Sequence, residues 1–155
     1  MQPLERLTIG DLLHRTAERY PDSPAFFIGD STQNYRDFDK RVTKTARSLM
    51  TAGIGKGDRV AVLGETTVEL LSLFYAIERL GGVCVLLNTA LETEELEILI
   101  SELNLRALFV GKSFQKDKHL SSVCIRISSA VMPTLVLSFT EDDKVYFPTL
   151  YEHIA

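Results

Sequence analysis

GIGKGDRVAVLGETTVELLSLFYAIERLGGVCVLLN, residues Gly53–Asn88, sets one helical run between two runs of strand character. RVAVLG (59–64) and VCVLLN (83–88) are short, rich in β-branched residues and apolar on successive positions. Such strands are covered on both faces, which is the habit of a parallel sheet. TTVELLSLFYAIERLGG (66–82) between them has helical apolar spacing, with Thr66 or Thr67 available as a cap and Gly81-Gly82 as the stop. Strand, helix, strand at this length is a crossover unit linking parallel neighbours.

The pattern continues outward in both directions. ETEELEILISELN (92–104) predicts a helix with acids in its first turn, where the dipole favours them, and RALFVG (106–111) another strand. Beyond it, KSFQKDKHLSS (112–122) predicts a short helix, VCIRIS (123–128) and TLVLSF (134–139) predict strands, and the tail from Pro148 predicts a helix. Upstream, a helix runs from Thr8 to Tyr20 with Thr8 as cap and Asp11 as its capping-box partner. Ile9, Leu12, Leu13, Ala17 and Tyr20 share its apolar face, and Pro21 and Pro24 end it. AFFIG, the turn GDST and QNY form an antiparallel hairpin. A second helix, Tyr35–Ala52, has the stripe Phe38, Val42, Ala46, Leu49 and Met50, an opposite face of Arg36, Asp39, Lys40, Lys44 and Arg47, and Gly53 as a left-handed cap. The expected fold is therefore α/β: one unit over residues 1–155, a three-layer αβα sandwich with a mainly parallel sheet and a short N-terminal antiparallel hairpin.

Composition limits what this unit does. With 17 Lys and Arg against 21 Asp and Glu, the net charge is −4, and no basic face for nucleic acid is expected. No window reaches the roughly 18 apolar residues of a membrane span, and the first residues lack a secretory signal's apolar core. Cys84 and Cys124 each sit in a strand-like apolar run and read as buried thiols of a reduced, cytoplasmic protein.

Three glycines and Lys56 between Gly53 and Gly57 suggest a phosphate loop, but their order is wrong. A phosphate loop follows a strand and opens a helix; these glycines follow a helix and open a strand, at the negative end of the helix dipole. Lys56 is not followed by Ser or Thr. They read as a helix stop and strand entry. The turn GETT (64–67) is better placed, since it leaves a strand and opens a helix. There Gly64, Thr66 and Thr67 offer donors, while Glu65 and Glu69 oppose an anion, so capping is the favoured role. His14, His119 and His153 have no metal-ligand spacing, no Gly-x-Ser-x-Gly elbow occurs, and the Glu92–Glu97 acids read as a solvated helix face. The residues alone assign no catalytic, cofactor-binding or metal-binding position.

The order of phrases resembles the beginning of the adenylate-forming acyl-CoA synthetase superfamily, of the long-chain fatty acid–CoA ligase type. RYPDSPAFFIGDSTQNYRDFDKRVTKTARSL (19–49) is similar to that family's Pro-Asp-x-Pro-Ala phrase, hairpin and following helix. Residues 53–110 are similar to its Gly-Asp-x-Val-Ala strand, long helix ending in Gly-Gly, Pro-Leu-Asn-like phrase and Glu-rich helix. Asn88, where peptide-synthetase adenylation domains commonly carry Asp, leans toward acyl-CoA ligases; Leu86, Thr89 and Gly64-Glu65 depart from common family residues. The resemblance implies a parent enzyme that uses ATP and Mg to activate a carboxylic acid, transfers the acyl group to CoA, and builds most of its acyl pocket from later residues. It implies that the family's Ser/Thr/Gly-rich phosphate loop would follow a segment like Thr134–Ala155, so this chain is expected to be an inactive N-terminal piece with no bound cofactor. Its expected partner is then the rest of the enzyme, or a second copy through an exposed apolar face. Two other readings are a stand-alone, non-catalytic α/β binding module and part of an amino-acid-adenylating domain.

Overall fold

The computed structural model describes residues 7–111, and beyond them the backbone of residues 134–136, 138–139 and 145–146. The predicted elements from 112 to 128 and after 146, with Cys124, His119 and His153, lie outside the described residues.

Helix α1 (Ile9–Arg19) begins at Thr8, whose hydroxyl accepts from the Asp11 amide while the Asp11 carboxylate accepts from the Thr8 amide, the predicted capping box. Strands β1 (Pro24–Ile28) and β2 (Ser31–Asn34) pair antiparallel as a hairpin. Helix α2 (Tyr35–Thr51) stops at Gly53, where φ is +80°. The Gly53 and Ile54 amides turn back onto the Met50 and Leu49 carbonyls, a Schellman closure that a side chain at this φ would strain. Then come β3 (Arg59–Leu63), α3 (Val68–Arg79), β4 (Val83–Leu86), α4 (Thr93–Glu102) and β5 (Ala107–Val110). The predicted 134–139 strand appears as β6 (Thr134–Val136) and β7 (Ser138–Phe139), and β7 pairs antiparallel with an unpredicted strand, β8 (Val145–Tyr146).

The main sheet has the order β4-β3-β5-β6, all parallel. Alternation along β3 and β5 divides the core. Val60, Val62, Ala107 and Phe109 face α1, α2 and α3 through Leu13, Phe38, Val42, Leu49, Leu73 and Ile77. Ala61, Leu63, Leu108 and Val110 face α4 through Leu96 and Ile100. Helices on both faces make the predicted three-layer sandwich. Side chains such as Leu49, Leu73 and Ile77 are fully buried, each stabilising the fold by about 1.5–3 kcal/mol.

Three local expectations need correction. On α1 the buried line is Gly10, Leu13 and Ala17, while Ile9, Leu12 and Tyr20 are exposed. The reason is a close crossing with α3: a Cβ on Gly10 would stand 2.6 Å from the Arg79 Cα, so the helix turns its smallest residue inward. Met50 is exposed, and Thr45 takes its place on the buried line of α2 with its hydroxyl bonded to the Arg41 carbonyl. β4 is covered only in part: Cys84 packs toward α1–α3 and Val85 toward α4, but the strand pairs with β3 alone among the described residues and Val83 and Leu86 are about half exposed.

Asp39, expected on the solvated side of α2, is drawn inward. Its carboxylate lies 2.6 Å from the Arg79 guanidinium, with only 14% and 18% of the two side chains exposed. Arg79 also donates to the Thr43 hydroxyl (2.8 Å) and the Gly10 carbonyl (3.2 Å), and His14 Nδ1 lies 3.0 Å from the other Asp39 oxygen. One guanidinium thereby ties α1 and α2 to the last turn of α3.

A crevice at the switch point of the sheet

From β3 the chain crosses through α3 to β4 on one side, then returns through α4 to β5 on the other. The strand order reverses between β3 and β5, and in open α/β sheets that reversal leaves a crevice outside the C-terminal strand ends. A cavity of about 220 Å³ lies there, between the ends of β3 and β5 and the first turns of α3. Val62, Leu63, Leu70, Leu73, Phe109 and Val110 provide apolar walls, and Thr67, Glu65 and Glu69 stand with them.

Both strands end in glycine where they meet. A Cβ on Gly111 would stand 3.2 Å from the Gly64 Cα, and one on Gly64 would stand 3.4 Å from the Gly111 Cα. The Gly111 amide donates to the Leu63 carbonyl at 2.8 Å, carrying the ladder past β5 to the mouth. The residues that sequence reasoning missed are Phe109, Val110 and Gly111. The available signal was the repeated ending, VAVLG at 60–64 and ALFVG at 107–111.

The turn at 64–67 does what its composition favoured. Thr67, rather than Thr66, caps α3, accepting from the Leu70 amide at 3.2 Å. Glu69 occupies the first turn, so the positive end of the helix dipole is already answered from within the chain. The glycine turn lies at the opposite edge, at the N-terminal end of β3. Its amides are spent internally: Gly55 on the Asp58 carboxylate (2.8 Å), Asp58 on the Gly55 carbonyl (3.2 Å) and Gly57 on the Gly81 carbonyl (2.9 Å). The bonds made by both turns therefore run to oxygens of the chain itself.

The remaining candidates are structural. Cys84 is a free, half-buried thiol, pushed up to about 12 from 9.0 by burial and, less, by Glu78, so it is no nucleophile near neutrality. Among the described residues no three His, Cys, Asp or Glu side chains converge as a metal site. Nor is any helix among them long and apolar enough to cross a membrane. Glu92 and Glu95 form a capping box at the start of α4. Asn88 Oδ1 accepts from the Ala90 amide at 2.9 Å, a turn bond that an aspartate would make equally well.

Fold and crevice together define an open α/β unit with a crevice at the C-terminal ends of β3 and β5. Residues 13–149 match the model of the AMP-binding enzyme family, and the chain belongs to that family. It is similar to YngI of Bacillus subtilis (strain 168), which carries an acyl-CoA synthetase name, with 37% identity over 121 residues, 77% of this chain and 22% of that one. It is also similar to the mitochondrial medium-chain acyl-CoA ligase ACSF2 of Danio rerio, with 28% identity over 83% of this chain and 22% of that one. Among solved structures, the anthranilate CoA ligase AuaEII bound to anthranoyl-AMP superposes with a TM-score of 0.75 at 22% identity, over 84% of this chain and 25% of that one. The chain thus spans about a fifth of the length of these curated relatives.

Proposed function

We propose that this chain is the N-terminal part of the adenylating domain of an ATP-dependent acid–thiol ligase. That enzyme would activate a carboxylic acid as its acyl-adenylate, with pyrophosphate leaving, and pass the acyl group to the CoA thiol, with AMP leaving. The observation that carries the reading is the run of family-like phrases from 19 to 110 folded as a sheet whose switch-point crevice opens at the strand ends. Within it, the chain supplies scaffold and one wall, while the groups that bind ATP, Mg and CoA belong to the rest of the enzyme. Fatty or related carboxylic acids are the proposed substrate class, supported by the acyl-CoA ligase names of its relatives. A reducing, cytoplasmic setting is proposed from the place of both cysteines in apolar, strand-like runs of the sequence.

The test is acid-dependent exchange of labelled pyrophosphate into ATP. The 155-residue chain is expected to give none, and a longer protein carrying this chain at its N-terminus to give a signal with carboxylic acids. Exchange by the chain alone would overturn its inactivity, and none from the longer protein with any acid would overturn the ligase reading.

A further inference from the structure

We infer that the outer face of α1 docks the outer face of α4 on a second copy of this chain, a head-to-tail contact of apolar residues flanked by opposite charges. The inference rests on these two surfaces and is independent of the ligase reading.

The α1 surface is apolar and basic. Gly10, Leu13 and Ala17 take its buried line, which leaves Leu12, Thr16 and the C-cap Tyr20 on an outer one, beside Arg15 and Arg19. Leu12 and Tyr20 are each more than half exposed, and with Thr16 and the two arginines they line an open hollow. The Thr16 hydroxyl donates to the Leu12 carbonyl at 2.7 Å, so its proton is spent within the helix. Among the described residues no carboxylate stands within ion-pair distance of Arg15 or Arg19. Asp11 feels Arg15 only from farther off, and Glu18, at the margin of the hollow, has His14 Nε2 at 3.7 Å.

The α4 surface is its complement. Leu96 and Ile100 are buried, and Glu94, Ile98 and Glu102 follow one another at four-residue steps on an exposed line. Ile98 is more than half exposed, and the helix carries no Lys or Arg. Among the described residues neither Glu94 nor Glu102 has a cationic partner. Within one chain the two surfaces cannot meet, because α1 packs on one side of the sheet and α4 on the other. Between copies, Ile98 enters the hollow beside Leu12 and Tyr20 while Glu94 and Glu102 face Arg15 and Arg19. The two faces differ, so the contact is heterologous, and each added copy presents a fresh face to the next.

Salt gives the diagnostic sign. The chain carries a net charge of −4, so a purely apolar contact between copies strengthens as salt screens their mutual repulsion. A contact built on facing opposite charges weakens instead.

Sedimentation velocity of the 155-residue chain is the test, with Leu86→Lys in every sample to blunt the exposed apolar surface of β4. Association that rises with concentration is expected, and about 0.5 M NaCl should weaken it at least five-fold. Arg15→Glu with Arg19→Glu, and Glu94→Lys with Glu102→Lys, should each abolish it. Mixing these two variants should restore it, since their reversed faces are again complementary. Arg15→Gln with Arg19→Gln, too mild to disturb α1, should weaken association at least about two-fold. A chain that stays monomeric would overturn the inference and leave both faces to other proteins. Association unmoved or strengthened by salt, unchanged in the glutamine variant, or absent from the mixture would each overturn it as well. The salt response and the glutamine variant decide the matter even if a charge-reversed chain does not fold.

Discussion

Removing the Asp39 carboxylate should loosen the whole helical layer behind the crevice. Arg79 sits in the last turn of α3, 18% exposed, with Asp39 as its anionic partner at 2.6 Å and neutral oxygens of Thr43 and Gly10 as its other contacts. Asp39→Ala leaves a mostly desolvated cation hydrogen-bonded to neutral acceptors only, with the Asp11 carboxylate acting on it from farther off. Breaking a fully buried pair costs about 3–5 kcal/mol, and the residual exposure here brings the expectation to about 2–3 kcal/mol. For a chain of this length that is a fall in Tm of about 5–10 °C and in the urea midpoint of about 1 M. Because little of the pair is exposed, 0.5 M NaCl should recover little of the loss. Asp39→Leu with Arg79→Met removes both charges and should regain most of it, since desolvation of the pair offsets much of its attraction. Urea unfolding followed by far-UV circular dichroism is the assay. A single variant within about 0.5 kcal/mol of wild type, or a double variant as weak as the single, would refute the account of Arg79 as the tie among α1, α2 and α3.

Two further outcomes follow from the same structure. Cys84 keeps its proton in the fold up to about pH 12, whereas the unfolded chain releases it from about 9, so stability should fall as pH rises from 9 to 12; Tm against pH should be flatter in that window for Cys84→Ala, and a parallel decline would remove the thiol's role. Val83 and Leu86 on β4, which has one strand partner among the described residues, leave apolar surface exposed with Ile98 on α4, so the chain should self-associate at high concentration and Leu86→Lys should reduce this in sedimentation velocity, while a wild-type monomer at all concentrations would refute it.

The order of elements, their caps and their stops were legible in the chain because each depends on near neighbours. Thr8 with Asp11, Gly53 after α2 and Gly81 after α3 act within a few residues, and the apolar runs at 60–63 and 107–110 mark strands covered on both faces. The exclusion of the glycine turn as a phosphate loop was equally local, since the position of glycines relative to helix and strand decides whether their amides face a positive or a negative dipole end. Other features required distant segments to meet. Ile9 and Leu12 have the spacing of a buried face, yet the crossing of α1 over α3 at Gly10 decides which line of the helix is covered. Val83–Leu86 reads like an interior strand, but position in a sheet is a property of pairing, and β4 has one partner among the described residues. Asp39 and Arg79 lie forty residues apart and become a pair only through helix packing. The crevice belongs to this second group. The repeated strand endings at 60–64 and 107–111 hint at its two glycines, but only the parallel pairing of β3 with β5 sets Gly64 and Gly111 against each other at the crevice.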